Sequence, residues 1–305
     1  MSLRTPNTTQ YRQSLLDLER TKARMAQNQQ RISSGKNITR PGDDPSGAAL
    51  ILDFENSIQS NEQYLKQVNA ASGLLQSTET VVDSVITQVT RLQEFAQQAT
   101  DATISSTGQA ALAQQVDSVR TTLLALANTQ QQGKYMFSGT LTQTQPFSDS
   151  APPAGPIVYA GNSGSINLDV NSSTSVSTNV PGNSVFFGSG GAGSSTDLFK
   201  AVTDLRDGLS SGNATLIQTA TANLKSVLSN VSQVQTDLGG RQAGLSDLQD
   251  SLTDINVTLQ TLQNTREATN YPQALTDFNN DQIVQSATLS SLAKSTQQNL
   301  FDYLG

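Results

Sequence analysis

The adjacent carboxylates Asp43 and Asp44 are the residues of this sequence whose types most directly suggest chemistry, since paired acids can hold a cation or exchange protons. Neighbouring side chains tend to project in different directions, however. Pro41 and Pro45 on either side of the pair indicate a turn followed by a helix start. We therefore interpret the two acids as turn and capping residues, with a weak ion pair to Arg40 as a further role.

Most other catalytic side chains are absent from the sequence. It contains no Cys and no His, which excludes disulfides, thiolate sites and the usual general base. Lys200, Lys225 and Lys294 lie on helical patterns without a serine motif beside them. The glycine-rich stretch 188–193 lacks the lysine and helix of a phosphate-binding loop. We predict that the chain is not an enzyme and that it has no metal site and no cofactor.

The composition favours long, thin helical bundles over one thick core. Apolar residues make up 35% of the 305 residues and charged residues only 14%, both below ordinary globular values. The net charge of −7 comes without a cluster of basic residues, which argues against nucleic-acid binding. The first residues lack the apolar core of a cleavable secretory signal, and no run is long enough for membrane insertion.

Heptad spacing dominates both ends of the chain, where apolar residues recur in steps of three and four. We predict assembly helices there, with these candidate interface residues: Leu15, Leu18, Met25, Ile32, Leu289, Leu292, Leu300 and Tyr303. Polar Lys22 and Gln29 interrupt the first pattern, so this helix needs a partner. From the residues alone, the same positions also suit an intramolecular core or a homodimeric coiled coil.

The middle of the chain changes character between Leu141 and Thr196. Five of the nine prolines occur there and only two charged residues, with short alternating runs such as Ile157/Tyr159 and Val185/Phe187. These runs predict short strands of a small inserted β-domain. Longer heptad patterns flank it on both sides, through 51–96, 112–126, 217–238 and 245–262.

The predicted fold is therefore mainly α with an inserted small β-domain, on a long antiparallel coiled-coil or helical-bundle stem built from both halves of the chain. Residues 1–40 and 272–305 would be terminal assembly helices, residues 41–140 and 196–271 the stem, and residues 141–195 the β-rich head. We expect the terminal helices to gain order on assembly, because isolated helices with polar seams are marginal.

The stretch Ile32-Ser33-Ser34-Gly35-Lys36-Asn37-Ile38, followed by Arg40 to Ala49, resembles the N-terminal signature of the flagellin family. Its signature loop contains Gly35, Arg40, Pro41, Asp43, Asp44 and Pro45. The stretch Thr90 to Ala96 is similar to a flagellin helix that makes filament contacts, although its spacing differs and it carries less charge. The resemblance implies stem contacts at Arg91 and Glu94.

The resemblance implies a structural protein of the bacterial flagellum. The sequences of the signature loop and of the segment Gln298 to Leu304 resemble those of family members at the junction between hook and filament. Its implied partners are further copies of the chain in an axial ring, another junction protein on the hook side, flagellin on the filament side and an export chaperone. Export would use the flagellar type III route. The alternatives are a short filament flagellin and, less favoured, a helical sensor with a β-type ligand domain.

Overall fold

The computed structural model describes residues 5–100, 104–151, 155–171 and 174–304, with side chains described from residue 11 to residue 294 within these ranges. Helices dominate, which confirms the predicted fold class. They are α1 (Thr5–Ser34), α2 (Pro45–Ala99), α3 (Ser106–Ala127), α4 (Leu198–Ser211), α5 (Ala214–Glu267) and α6 (Tyr271–Leu304).

Local signals set the helix ends. Ser105 caps α3 by accepting the Gly108 N–H, and Asp197 caps α4 by accepting the Lys200 N–H. Burial raises the pKa of the Asp197 carboxyl above its usual value. Helix α5 continues unbroken through the Gly239-Gly240 pair, which lies between the heptad patterns at 217–238 and 245–262.

The strands are short and form three separate antiparallel pairs. Their bounds are β1 (Gln130–Gln131) with β2 (Lys134–Tyr135), β3 (Phe147–Asp149) with β4 (Ile157–Tyr159), and β5 (Asn167–Asp169) with β6 (Ser175–Ser177). The strand predicted at Val185/Phe187 is wrong, because Asn183–Phe187 is a π-helical turn. Val185, Phe186 and Phe187 are all buried there, whereas an alternating strand would direct Phe186 to the opposite face.

The chain divides into two compact units. Unit 1 comprises Met1–Ser60 with Asp254–Gly305, and unit 2 comprises Asn61–Thr253. In unit 1, α1 packs against α6; in unit 2, α3 packs against α4. The predicted head and stem boundaries, at residues 141 and 195, both fall inside unit 2.

Aromatic rings fill the core where the β-rich segment meets the helices of unit 2. The centroid of Phe147 lies 5.0 Å from those of Tyr159 and Phe186, and 5.7 Å from that of Phe199. Tyr159 donates its hydroxyl to the Phe137 carbonyl at 2.9 Å, and burial raises its pKa. Such aromatic clusters supply much buried area from few residues, which suits a chain with only 35% apolar residues.

A buried ion pair fastens the β3–β4 hairpin to α3 in unit 2. The Arg120 Nη2 lies 2.8 Å from Asp149 Oδ2 and 2.7 Å from the Gly155 carbonyl. The two side chains are only 4% and 8% exposed. Within the described ranges, no helix combines the length and apolar character needed to cross a membrane.

Candidate assembly interface

The signature loop after α1 is joined to the loop between α5 and α6 by backbone pairing. The Asn37 N–H donates to the Glu267 carbonyl at 2.6 Å, and the Thr269 N–H donates to the Gly35 carbonyl at 2.9 Å. The Lys36 ammonium adds an ion pair at 2.8 Å to the Glu267 carboxylate, which is 11% exposed. Two loops more than 200 residues apart in sequence therefore form one clasp, residues 35–37 with 267–269.

Gly35 is required in this clasp for two reasons. Its φ of +70° lies in the left-handed region that ends many helices. A Cβ at this position would also lie 2.8 Å from the Tyr271 hydroxyl oxygen. Gly35 therefore ends α1 as its position in the sequence predicts, and it also allows the start of α6 to approach closely.

Asp43 organises the turn that follows the clasp. Its Oδ2 accepts the Thr39 N–H at 3.1 Å, the Thr39 hydroxyl at 3.0 Å and the Arg40 N–H at 3.0 Å. The hydrogen bonds from Thr39 hold the pKa of this carboxyl below its usual value. The Arg40 side chain forms no ion pair with the described residues, so its predicted pairing with the two acids is replaced by a backbone contact.

Asp44 caps the next helix, as the sequence predicts. Its Oδ1 accepts the Gly47 N–H at 3.0 Å and the Ser46 hydroxyl at 2.8 Å, and these bonds lower its pKa. Pro45 is the first residue of α2. Gly47 belongs to the stretch that resembles the flagellin signature, and a Cβ there would lie 2.5 Å from Asp44 Oδ2 and 2.6 Å from Ile38 Cδ1.

The packed faces of α1 and α6 follow heptad spacing but are largely polar. Leu18 is buried, and Met25 and Ile32 are half-buried, as expected of seam residues. Thr21 and Asn28 occupy the intervening positions of the α1 seam and are 3% and 8% exposed. The same spacing recurs among the buried and half-buried positions of α6, which are Ala274, Phe278, Asp281, Gln285, Thr288 and Leu292. Asp277 is half-buried beside this series.

Asp281 is the centre of this seam. Its side chain is 11% exposed, and its carboxylate accepts the Arg24 Nε–H at 3.2 Å and the Asn28 amide N–H at 3.1 Å. Buried polar pairs of this kind fix the register of a coiled coil at some expense of stability. The predicted polar interruptions Lys22 and Gln29 are instead exposed, because the seam is shifted by one residue to Thr21 and Asn28. The pairing of Asn28 with Asp281 was not predicted from the sequence.

Several apolar residues of unit 1 point away from the seam. Leu15 and Leu289, predicted as interface residues, are 38% and 48% exposed. Other exposed apolar side chains on the two helices, which sequence reasoning missed or did not select, are Tyr11, Leu16, Leu275, Ile283 and Val284. Ile283 is 67% exposed. Leu300 and Tyr303 lie outside the described side chains, so their predicted role stays a prediction.

The predicted stem-contact residues lie on α2 in unit 2. The Arg91 guanidinium stands 5.4 Å from the centre of the Phe95 ring, a cation–π distance. Glu94 is exposed and has no ion pair within the described ranges. Both side chains are accessible, and their contacts with other subunits stay a prediction.

Comparison with known proteins finds flagellar proteins that are similar to this chain. Residues 7–142 match the bacterial flagellin N-terminal helical region, which confirms the resemblance to the flagellin family. The chain is 29% identical over 177 residues to the flagellar hook-associated protein 3 of Escherichia coli, covering 58% of this chain and 54% of that protein. For the Salmonella typhimurium protein of the same name, identity is 30% over 138 residues, or 45% and 44% of the two chains.

The matched region spans about half the length of these curated relatives. Solved structures extend the likeness in fold. A hook-associated protein from Vibrio parahaemolyticus has a TM-score of 0.68 at 19% identity, covering 74% of this chain and all of that one. Hook-associated protein 3 from Legionella pneumophila has a TM-score of 0.61 at 20% identity, over 72% and 99% of the two chains. The family region and the relatives that match carry the names of flagellar proteins, in line with the prediction that the chain is not an enzyme.

Proposed function

We propose that this chain, whose residues 7–142 match the flagellin N-terminal region, is a structural axial protein that joins the hook to the filament of the bacterial flagellum. The observation that carries this proposal is the pairing of α1 with α6 through a polar seam, while apolar side chains of both helices face outward. A helix pair built this way is held in register internally and is stabilised further when its outer face is covered.

The proposed assembly consists of further copies of the chain arranged as a ring. It would contact another hook-associated protein on the hook side and flagellin on the filament side. Before export, a chaperone would hold the chain, which would leave the cell unfolded by the flagellar type III route. The absence of Cys supports this route, since no disulfide has to open before passage. Residues 1–40 and 272–305 would mediate assembly, 41–140 and 196–271 form the stem, and 141–195 form the outward head.

A short filament flagellin is the second candidate, and the match to the flagellin N-terminal region favours it. The two roles differ in what the chain builds: a flagellin forms long filaments by itself, whereas a junction protein is needed once per filament. A helical sensor remains the least supported function.

Electron microscopy of cells that lack this gene tests the proposal. The junction role predicts hooks without filaments and flagellin released into the medium, and the native gene should restore filaments. Normal filaments in the deletion strain would overturn it. Hooks that keep a capped junction but lack filament subunits would instead identify the chain as filament flagellin.

Leu292→Asp tests the role of α6. This seam residue is half-buried in unit 1, so we expect the variant to lose assembly while the thermal unfolding of unit 2 stays nearly unchanged. Leu141→Asp, at a 45% exposed position of unit 2, is the matched control and should assemble. If unit 2 also unfolds in the Leu292→Asp variant, the proposed separation between an assembly helix and an independently stable stem is contradicted.

A further inference from the structure

Charge is distributed very unevenly along this sequence. Residues 1–40 contain eight of the 18 basic residues and two of the 25 acidic ones, a net charge of +6. The remaining 265 residues therefore have a net charge of −13. Because the basic residues are spread along a helix, no dense cluster appears in the sequence. Charge of opposite sign on two parts of one chain favours association between copies.

The outward face of α1 combines these basic residues with apolar ones. Arg12, Leu15 and Lys22 follow one another at steps of three and seven, which places them along one side of the helix. Leu15 and Leu16 are 38% and 49% exposed. Arg12 and Lys22 are exposed and have no ion pair among the described residues, whereas Arg24 is engaged by Asp281 inside unit 1.

This face leads into a groove of about 390 Å³ between α1 and the signature loop. Small side chains, Ala23 and Ala26, form its floor, and Thr39, Arg40 and Gln27 line its wall. Asp43 also borders it, but hydrogen bonds from Thr39, the Arg40 backbone and Gln27 already occupy its carboxylate. The Arg40 guanidinium is the cation there without an ion pair in the described part of the chain. The groove therefore suits an apolar side chain with a neighbouring carboxylate.

The C-terminal part of α5, from Asp254 onward, belongs to unit 1 and carries exposed residues of that chemistry. Asp254 and Val257 stand one turn apart, on the side of α5 away from the buried Asn256. Val257 is 58% exposed, and Asp254 is exposed without an ion pair among the described residues. An exposed β-branched apolar residue beside an unpaired acid complements the small floor of the α1 groove, its lining cation Arg40 and the exposed Lys22 that precedes Ala23 in α1.

We propose that the Asp254–Val257 ridge of one copy docks into the α1 groove of a second copy, with Val257 over Ala23 and Ala26 and Asp254 against Lys22 and Arg40. The contact joins two different surfaces, so it repeats head to tail and generates a ring or an open helix. This inference rests on the proposed self-assembly and adds the two surfaces that meet.

Disulfide trapping tests the contact directly, because the sequence has no cysteine of its own. Ala26→Cys and Val257→Cys are prepared as separate single variants, mixed and oxidised. We expect a heterodimeric cross-link at least about tenfold above that of Ala26→Cys mixed with Lys225→Cys, an exposed α5 position in unit 2. Equal yields from the two mixtures would overturn the proposal.

Charge reversal provides the second arm of the test. Lys22→Glu with Arg40→Glu, in the Ala26→Cys chain, should lower the cross-link about tenfold, and Asp254→Lys in the partner should restore it. Lys225→Glu is the matched single-charge control and should change nothing. Raising salt from about 0.01 M to about 1 M, which shortens the Debye length from about 30 to about 3 Å, should lower the yield. Circular dichroism confirms that each variant is helical before it is mixed.

Complementation of the deletion strain shows whether it is the proposed contact or the proposed junction role that is wrong. If the deletion strain lacks filaments but Lys22→Glu with Arg40→Glu restores them fully, the contact is wrong and the junction role stands. If the deletion strain keeps its filaments, the junction role is wrong, and the cross-linking yields alone decide the contact. Filaments lost in the charge-reversed strain and recovered with Asp254→Lys would support both.

Discussion

Three glycines in the interior of α5 should weaken unit 2, and replacing them should stabilise it. Gly239, Gly240 and Gly244 lie inside a 54-residue helix and are exposed. A Cβ built at any of them meets no heavy atom within 4 Å, and none has a positive φ. Alanine at these positions therefore adds a methyl group to open space on a backbone that is already helical. The only change is a smaller loss of conformational entropy on folding.

The magnitude follows from helix propensity. Alanine is favoured over glycine in a helix interior by about 0.8–1.0 kcal/mol per residue. For a unit of about 190 residues, each kcal/mol raises the melting temperature by about 2–4 °C. We expect Gly240→Ala to stabilise unit 2 by about 1 kcal/mol and the triple variant by about 2–3 kcal/mol, because the added methyl groups do not contact other elements.

Gly133→Ala is the matched control. Its Cβ would also meet nothing within 4 Å, but Gly133 has a φ of +76° in the turn between β1 and β2, next to Gln132 with a φ of +52°. Left-handed backbone costs alanine about 1–2 kcal/mol, so this variant should be destabilised. Urea and thermal unfolding followed by circular dichroism measure both changes. Destabilisation by Gly240→Ala, or the same sign of change in both variants, would refute the reasoning.

Three further substitutions or conditions test contacts described above. Arg120→Met should cost about 3–5 kcal/mol in urea unfolding, because it leaves the Asp149 carboxylate buried without its cation; adding Asp149→Leu should recover most of that loss. Asp281→Leu should destabilise unit 1 by about 1–3 kcal/mol by removing the acceptor of the Asn28 amide. Adding Asn28→Leu should restore stability but loosen the register between α1 and α6. Cysteine pairs engineered one helical turn out of register should then cross-link in the double variant and not in the chain with the native seam. The pKa of Asp43 is lowered in the folded loop, so its stabilisation is complete above the usual value of 3.8 and is lost as the pH falls through the lowered pKa. The protection factors of the loop amides, which correct for the intrinsic pH dependence of exchange, should therefore fall below the lowered pKa, and Asp43→Asn should remove this change; unchanged protection in the native chain would contradict it.

The sequence predicts the parts of this fold that depend on neighbouring residues. Asp44 caps α2 and Pro45 is its first residue, as the sequence predicts, through contacts within a few positions along the chain. The caps at Ser105 and Asp197 and the glycine that ends α1 are equally local. The heptad patterns predict long helices for the same reason, since period alone determines the buried face.

Contacts between distant residues could not be read in the same way. Arg120 and Asp149 are 29 residues apart, and Asn28 and Asp281 are 253 apart, so no local pattern connects them. Apolar alternation at Val185 and Phe187 fits a strand as well as a short buried turn, and only the surrounding aromatic core decides between them. The groove beside Arg40 is also invisible in sequence, because it arises from the approach of a loop to α1.

The clasp of residues 35–37 with 267–269 sets the order in which this chain can fold. Unit 2 is built from one continuous stretch, residues 61–253, so every segment it needs is present before the C-terminal end is available. Unit 1 requires both ends, and its clasp closes a loop of about 230 residues at an entropic cost that grows with loop length. A chain delivered from its N-terminus therefore completes unit 2 first and leaves α1 without its partner until the last residues arrive. The helices proposed to contact other subunits are thus the last to be completed.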